Sequence, residues 1–247
     1  MIRLADDDSI ALLKAFCTAE DVMACRIGCL CESWYGIDND ALFWLQYDEQ
    51  SAVTAAIAGS GSELMVYALD RAERQELKEF ADMLGRGNIL SNMRIDDSMQ
   101  ADIAVMRYTG RKLRQQQSSD YTDFPFRRIY DLLAQCRFED FLVPAYEEFV
   151  LELSHRLRHH TAECCYIMDN DIPAVFCMTA ALSETTAVIG AVCTAPAQRR
   201  KGLGTQCMEE LMSVLGDRDI FIMRDRNRNE GFYCSIGFEN CGMIYRK

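Results

Sequence analysis

Residues 188–215 read VIGAVCTAPAQRRKGLGTQCMEELMSVL. The stretch begins as an uncharged apolar run of strand character and reaches Pro196, which has no N–H to give a neighbouring strand. Arg199, Arg200, Lys201, Gly202, Leu203 and Gly204 follow, and apolar residues then recur at helical spacing as far as Leu215. The two glycines admit backbone angles closed to other residues and leave space for something to approach the main chain. The first turn of a helix presents N–H groups with no partner inside the helix, together with a partial positive charge. Two arginines and a lysine add full charges. A strand, a basic glycine loop and a helix in this order make an anion site suited to a pyrophosphate.

Two common phosphate templates fail here. A Walker A loop needs Gly-x-x-x-x-Gly-Lys-Ser/Thr, whereas Lys201 precedes its glycine; the dinucleotide pattern Gly-x-Gly-x-x-Gly breaks at Cys207. What fits is Arg/Gln-x-x-Gly-x-Gly/Ala after a Val/Thr-x-Pro strand end, followed downstream by GFYCSIGF at residues 231–238. In these two elements the sequence resembles the GNAT superfamily of N-acetyltransferases. The family's loop of this form grips the pyrophosphate of acetyl-CoA, and its Phe/Leu-Tyr-x-x-x-Gly-Phe element lies on a short helix before the last strand. The resemblance covers roughly residues 123–247.

The resemblance implies acetyl-CoA as cosubstrate and assigns residues to it. Backbone groups of Val192, Cys193 and Thr194 pair with the pantetheine arm as an added strand would. Arg199, Arg200, Lys201, Gly202, Leu203, Gly204 and Thr205 form the pyrophosphate loop, and Asn229 and Phe232 lie beside the cofactor. Tyr233 stands near the thioester sulfur and returns a proton to the departing thiolate. A phenol with an ordinary pKa of about 10 keeps that proton at neutral pH. One departure stands out: the family often has asparagine six residues before the Phe/Leu, where this chain has Arg226, while Asn229 lies three before Phe232. The structural alternative for Tyr233 is an aromatic ring packed beside Phe232.

Outward from this region the chain repeats one grammar. Helical patterns at IALLKAFC, with Ser9 as a cap, and DVMACRIGCLCESWYG precede three strand-like runs, ALFWLQY, SAVTAAIAG and ELMVYAL. A charged amphipathic helix then ends at Gly85 or Gly87, with short strands at NILSN and IAVMRYTG. The polar stretch RKLRQQQSSDYTDFP is the linker candidate. After it come RRIYDLLAQCR, a helix from Pro144 in its first turn through Leu157, and the strands AECCYIMD, IPAVFCMTAAL and TTAVIGAVCT. The loop and helix already described lead to DIFIMRD and a closing strand. The predicted fold is therefore α/β (α+β), a mixed, mostly antiparallel central sheet flanked by helices, in two tandem GNAT-like units. Residues 1–121 form a degenerate copy without a phosphate loop, and residues 122–247 form the competent domain.

Composition narrows the partners. The net charge of −12 lacks the basic face that nucleic acid requires, and it suits either a cationic amine or solubility alone. No run of about 18 uncharged apolar residues occurs, and the N-terminus lacks the basic-then-apolar order of a secretory signal, so the expected location is the cytoplasm, with no membrane span. The twelve cysteines form no C-x-x-C pair and many lie in apolar runs, the pattern of reduced core thiols rather than disulfides or zinc ligands. His155 and His159 share a helical spacing of four, but only Glu152 is near as a third ligand, so no metal is expected. Candidate bases for an amine acceptor are Glu163, Glu184 and the histidines 155, 159 and 160, with none singled out. The expected function is acetyl transfer to a primary amine by direct attack, in a chain that favours the monomer. The alternative is a non-catalytic acyl-CoA-binding or regulatory module. The acceptor, the acyl chain length and the role of the first half stay open.

Overall fold

The computed structural model describes residues 1–18, 21–37, 40–111, 121–137 and 143–247. The chain divides into two compact units: Met1–Tyr108 with Phe221–Lys247, and Thr109–Ile220.

The first unit holds β1 (Ile2–Leu4), α1 (Asp7–Phe16), α2 (Val22–Trp34), β2 (Leu42–Tyr47), β3 (Val53–Ser60), β4 (Glu63–Ala68), α3 (Arg74–Leu84), β5 (Asn88–Ser91) and β6 (Gln100–Tyr108). The second unit holds α4 (Phe126–Gln135), α5 (Tyr146–Arg158), β7 (Cys164–Asp169), β8 (Ile172–Leu182), β9 (Thr186–Thr194) and α6 (Leu203–Leu215). Strand β10 (Asp219–Asp225) carries the chain back to the first unit, which also contains α7 (Glu230–Ser235) and β11 (Phe238–Arg246).

In the first unit the strand order is β1-β2-β3-β4-β5-β11-β6-β10. Every neighbouring pair is antiparallel except β4 with β5. The parallel pair needs a crossover, and α3 supplies it. Trp44, Ile57, Leu64, Val66, Leu77 and Met99 share one buried cluster, which joins sheet to helix. The last strand lies between β5 and β6, with Tyr245 opposite Ser91 and Ile244 opposite Ile103, so the C-terminal residues cluster with residues 1–108. Most of the linker candidate, residues 112–120, lies outside the described residues.

The second unit pairs β7, β8 and β9 antiparallel, and Ile129, Phe149, Leu153, Phe176 and Cys193 bury one face against α4 and α5. The hairpin between β7 and β8 turns at Asn170 and Asp171, whose φ values of 50° and 62° are those of a two-residue turn matched to strand twist. Helix α3 ends at left-handed Gly85.

Two expected helix starts are corrected. Asp6, not Ser9, is the N-cap of α1; Ser9 occupies the third helical position and closes a reciprocal capping box. Helix α5 starts at Tyr146 after N-cap Ala145, which puts Pro144 outside its first turn. All twelve cysteines are free thiols. Among the described residues no helix is long and apolar enough to cross a membrane.

Candidate active site

Strand β9 is irregular where it approaches the loop. Its pairing with β8 slips between Met178 and Thr179 and again between Thr179 and Ala181. A Cβ on Gly190 would meet the Ala180 Cβ at 2.7 Å, so this crossing requires glycine. Beyond the irregularity, Val192, Cys193 and Thr194 lie opposite Cys177, Phe176 and Val175. Cys193 is buried, and its two neighbours are half-buried.

After one turn of 3-10 helix at Pro196–Gln198, Arg200 takes a left-handed φ of 61° and Gly202 one of 81°. Gly202 is the N-cap residue of α6, and no side chain caps this helix or places an acid in its first turn. A Cβ on Gly202 would meet nothing within 4 Å, so glycine is present for its backbone angle and not for room. Arg199, Arg200 and Lys201 are all exposed, whereas Leu203, Gly204 and Thr205 are half-buried. The Arg199 Nε donates to the Thr194 carbonyl at 3.1 Å and the Lys201 Nζ to Gln198 Oε1 at 2.6 Å. These bonds orient two cations ahead of a helix terminus whose N–H groups no side chain occupies. The arrangement favours an oxyanion.

In the first unit, Asn229 occupies the N-cap position of α7 with a left-handed φ of 58°, makes no side-chain cap and is exposed. Phe232 is half-buried, and Tyr233 is 7% exposed. The Tyr233 ring meets Phe232 edge-on at 5.1 Å and Phe238 at 6.1 Å. Its ring is thus firmly seated. Sequence reasoning missed the residue that shapes the preceding loop. Arg224, buried in β10, donates Nη1 to the carbonyls of Asp225, Arg226 and Arg228 at 3.0, 2.7 and 3.3 Å. Its Nη2 reaches Asn240 Oδ1 at 3.2 Å and Glu230 Oε2 at 3.1 Å. One guanidinium therefore folds the loop that delivers α7. The signal was an arginine set among the apolar residues of DIFIMRD, which resembles a solvated strand end.

Residues 126–238 match the family model described as the acetyltransferase (GNAT) family. This segment is a GNAT domain. No curated protein matches the chain by sequence. Among solved structures, a GCN5-related N-acetyltransferase from Sphaerobacter thermophilus aligns with TM-score 0.62 at 14% identity, over 100% of this chain and 95% of its own. A GNAT-family acetyltransferase from Colwellia psychrerythraea gives 0.61 at 9% identity, over 100% and 98%. A tandem GNAT protein from the clavulanic acid biosynthesis pathway gives 0.59 at 10% identity, also over 100% and 98%. At such identities the likeness concerns the fold, and it extends over the N-terminal half as well as the GNAT domain.

The candidate bases of the domain differ in setting. Glu163 is buried, and its Oε2 accepts from the Tyr121 hydroxyl at 2.7 Å; burial, with this carboxylate nearby, pushes the Tyr121 phenol up. Glu184 is exposed between β8 and β9. The rings of His155 and His159 meet at 4.3 Å, tilted by 35°, near the end of α5, and His160 follows in the left-handed region with φ 56°. Among the described residues no group of three or more His, Cys, Asp or Glu side chains is placed to hold a metal ion.

Proposed function

We propose that the GNAT domain transfers an acetyl group from acetyl-CoA to a primary amine by direct attack. The observation that carries this reading is the α6 terminus, uncapped behind left-handed Gly202 and preceded by three exposed cations. In this account the amides from Arg200 to Thr205, with Arg199 and Lys201, hold the pyrophosphate. The backbone of Val192, Cys193 and Thr194 pairs with the pantetheine arm, and Asn229 and Phe232 line the cofactor.

The amine nitrogen attacks the thioester carbonyl, the C–S bond breaks, and Tyr233 gives its phenolic proton to the leaving thiolate. Holding the two reactants together supplies up to about 7–11 kcal/mol in favourable cases. Freeing an amine of pKa near 10.4 at pH 7 costs roughly 4.6 kcal/mol, so a carboxylate, histidine or water takes its proton. The first half of the chain is a decayed copy of the same unit, and the protein works as a monomer in the cytoplasm.

The tight packing of Tyr233 against Phe232 and Phe238 favours a second reading, an acyl-CoA-binding module that needs no proton donor. Free-thiol release from acetyl-CoA, followed over a panel of primary amines with mass spectrometry of the products, separates the two. Amine-dependent release with an acetylated product is expected. Cofactor binding without release supports the binding module, and the absence of both rejects the two readings together.

A further inference from the structure

Every nitrogen of the buried Arg224 side chain has a partner. Nε donates to Met106 Sδ at 3.2 Å, Nη1 to the carbonyls of Asp225, Arg226 and Arg228, and Nη2 to Asn240 Oδ1 and Glu230 Oε2. Asn240 Nδ2 donates in turn to the other Glu230 oxygen, Oε1. One guanidinium thus joins β10, the loop that leaves it, the first residue of α7 and the strand β11 that follows. Helix α7 has little of its own to hold it. It is six residues long, well below the length at which a helix holds in water alone, and its left-handed N-cap Asn229 makes no side-chain cap. What ties its start down is the pair of bonds that Glu230 accepts from Arg224 and Asn240.

We propose that Arg224 is a positioning residue for the acyl transfer, setting through Glu230 and Asn240 where α7 presents the Tyr233 hydroxyl. The inference rests on the reading of Tyr233 as the general acid. Arg224 acts through the helix, because its nitrogens are all engaged and its side chain is 5% exposed. Glu230 stands three residues before Tyr233, a spacing that puts the two on neighbouring positions of one helix face. A shift at Glu230 is therefore carried to the phenol, although Phe232 and Phe238 grip the ring.

The geometry also requires arginine. A planar fork of five N–H donors spans three loop carbonyls, an amide oxygen and a carboxylate at once. A lysine offers three donors from a single point and cannot bridge the loop to Glu230 in the same way. Removing the guanidinium leaves the carbonyls of Asp225, Arg226 and Arg228 without this donor and frees the start of α7.

The test pairs kinetics with hydrogen exchange on the whole chain. In Arg224→Met and in Glu230→Ala, kcat for amine-dependent thiol release from acetyl-CoA should fall by about 10²-fold, the worth of a misplacement near 1 Å, while acetyl-CoA affinity holds. Glu230 is half exposed, so its variant decides the matter even if Arg224→Met does not fold. Glu230→Gln, which keeps an oxygen for Arg224, should recover most of the lost rate, and Arg224→Lys little of it. Placed in a Tyr233→Phe background, Glu230→Ala should cost no further rate, since the group it positions is gone. The amides of Tyr233, Ile236 and Gly237, bonded within or just after α7, should exchange faster in Glu230→Ala, while those of β2 to β4 keep their protection. Losses that add to Tyr233→Phe, equal losses in kcat and affinity, or unchanged α7 exchange in an active enzyme overturn the Arg224 proposal alone. A wild type that releases no thiol with any amine sinks the proposed function, and the part of Arg224 in the rate with it.

Discussion

Strand β4 runs into α3 through Asp70, Arg71, Ala72 and Glu73, and strand β9 runs into α6 through Pro196 to Gly202. At α3 the Glu73 side chain accepts from the Gln75 N–H at 3.1 Å, and Glu76 in the first turn takes the N-terminal ammonium at 2.9 Å. At α6 no side-chain cap and no first-turn acid is present, and the loop has left-handed glycine with three exposed cations. The same local topology thus yields a terminus that the chain fills with its own carboxylates and a terminus open to an external anion. The next step differs as well. After β5 come residues 92–99, where Met93, Ile95 and Met99 are buried; after β10 comes α7 with Tyr233. The contrast teaches that a strand-to-helix turn becomes an anion site through what is withheld from the helix start.

The largest effect is expected at Tyr233. Tyr233→Phe should lower kcat by about 10²–10⁴-fold, the usual worth of a general acid, with acetyl-CoA affinity hardly changed. Equal losses in kcat and affinity make the ring a packing residue and remove half of the contrast. Next, Gly204→Glu gives α6 the first-turn carboxylate that α3 already has. Acetyl-CoA at about 100 times its Kd stabilises a binder by about 2.7 kcal/mol, and that gain should vanish while the unliganded midpoint holds. A retained gain shows that the helix terminus is not where the pyrophosphate sits.

Smaller effects sharpen the α3 side. Glu73→Ala removes its cap and should cost about 1 kcal/mol in denaturant unfolding, without creating a response to acetyl-CoA at that end. The smallest effect is a pH dependence at Glu76. Burial raises its carboxyl, but hydrogen bonds from the N-terminal ammonium and Gln46 outweigh burial and hold it below the ordinary value. A depressed carboxyl contributes stability that is complete above the unfolded value of about 4.3 and lost as pH falls through the folded one. Because the pair is partly exposed, Glu76→Gln should flatten the acid limb of the stability curve by less than about 1 kcal/mol.

Much of the fold was legible because its signals are local. ALFWLQY, SAVTAAIAG and ELMVYAL became β2, β3 and β4, since apolar runs between turn residues need no distant information. Gly85 and Gly216 stopped α3 and α6 where the apolar periodicity ended. What escaped depends on partners far along the chain. The short β1 exists because Ile2, Arg3 and Leu4 register on Gln46, Leu45 and Trp44, and β11 enters between β5 and β6 by long-range pairing. At α1 Asp6 and Ser9 can each cap, and only the fold picks between them. At the site, the open terminus of α6 was readable because position 202 offers no oxygen-bearing side chain. The loop-folding role of Arg224 arises from tertiary contacts without a motif.

The central claim is that α6 begins at a working pyrophosphate site, and a thermal-unfolding scan with acetyl-CoA, using ATP and NAD as controls, tests it most directly. The account predicts a rise of about 5–10 °C with saturating acetyl-CoA, none with ATP or NAD, and none in Gly204→Glu. An unchanged midpoint at millimolar acetyl-CoA would contradict it.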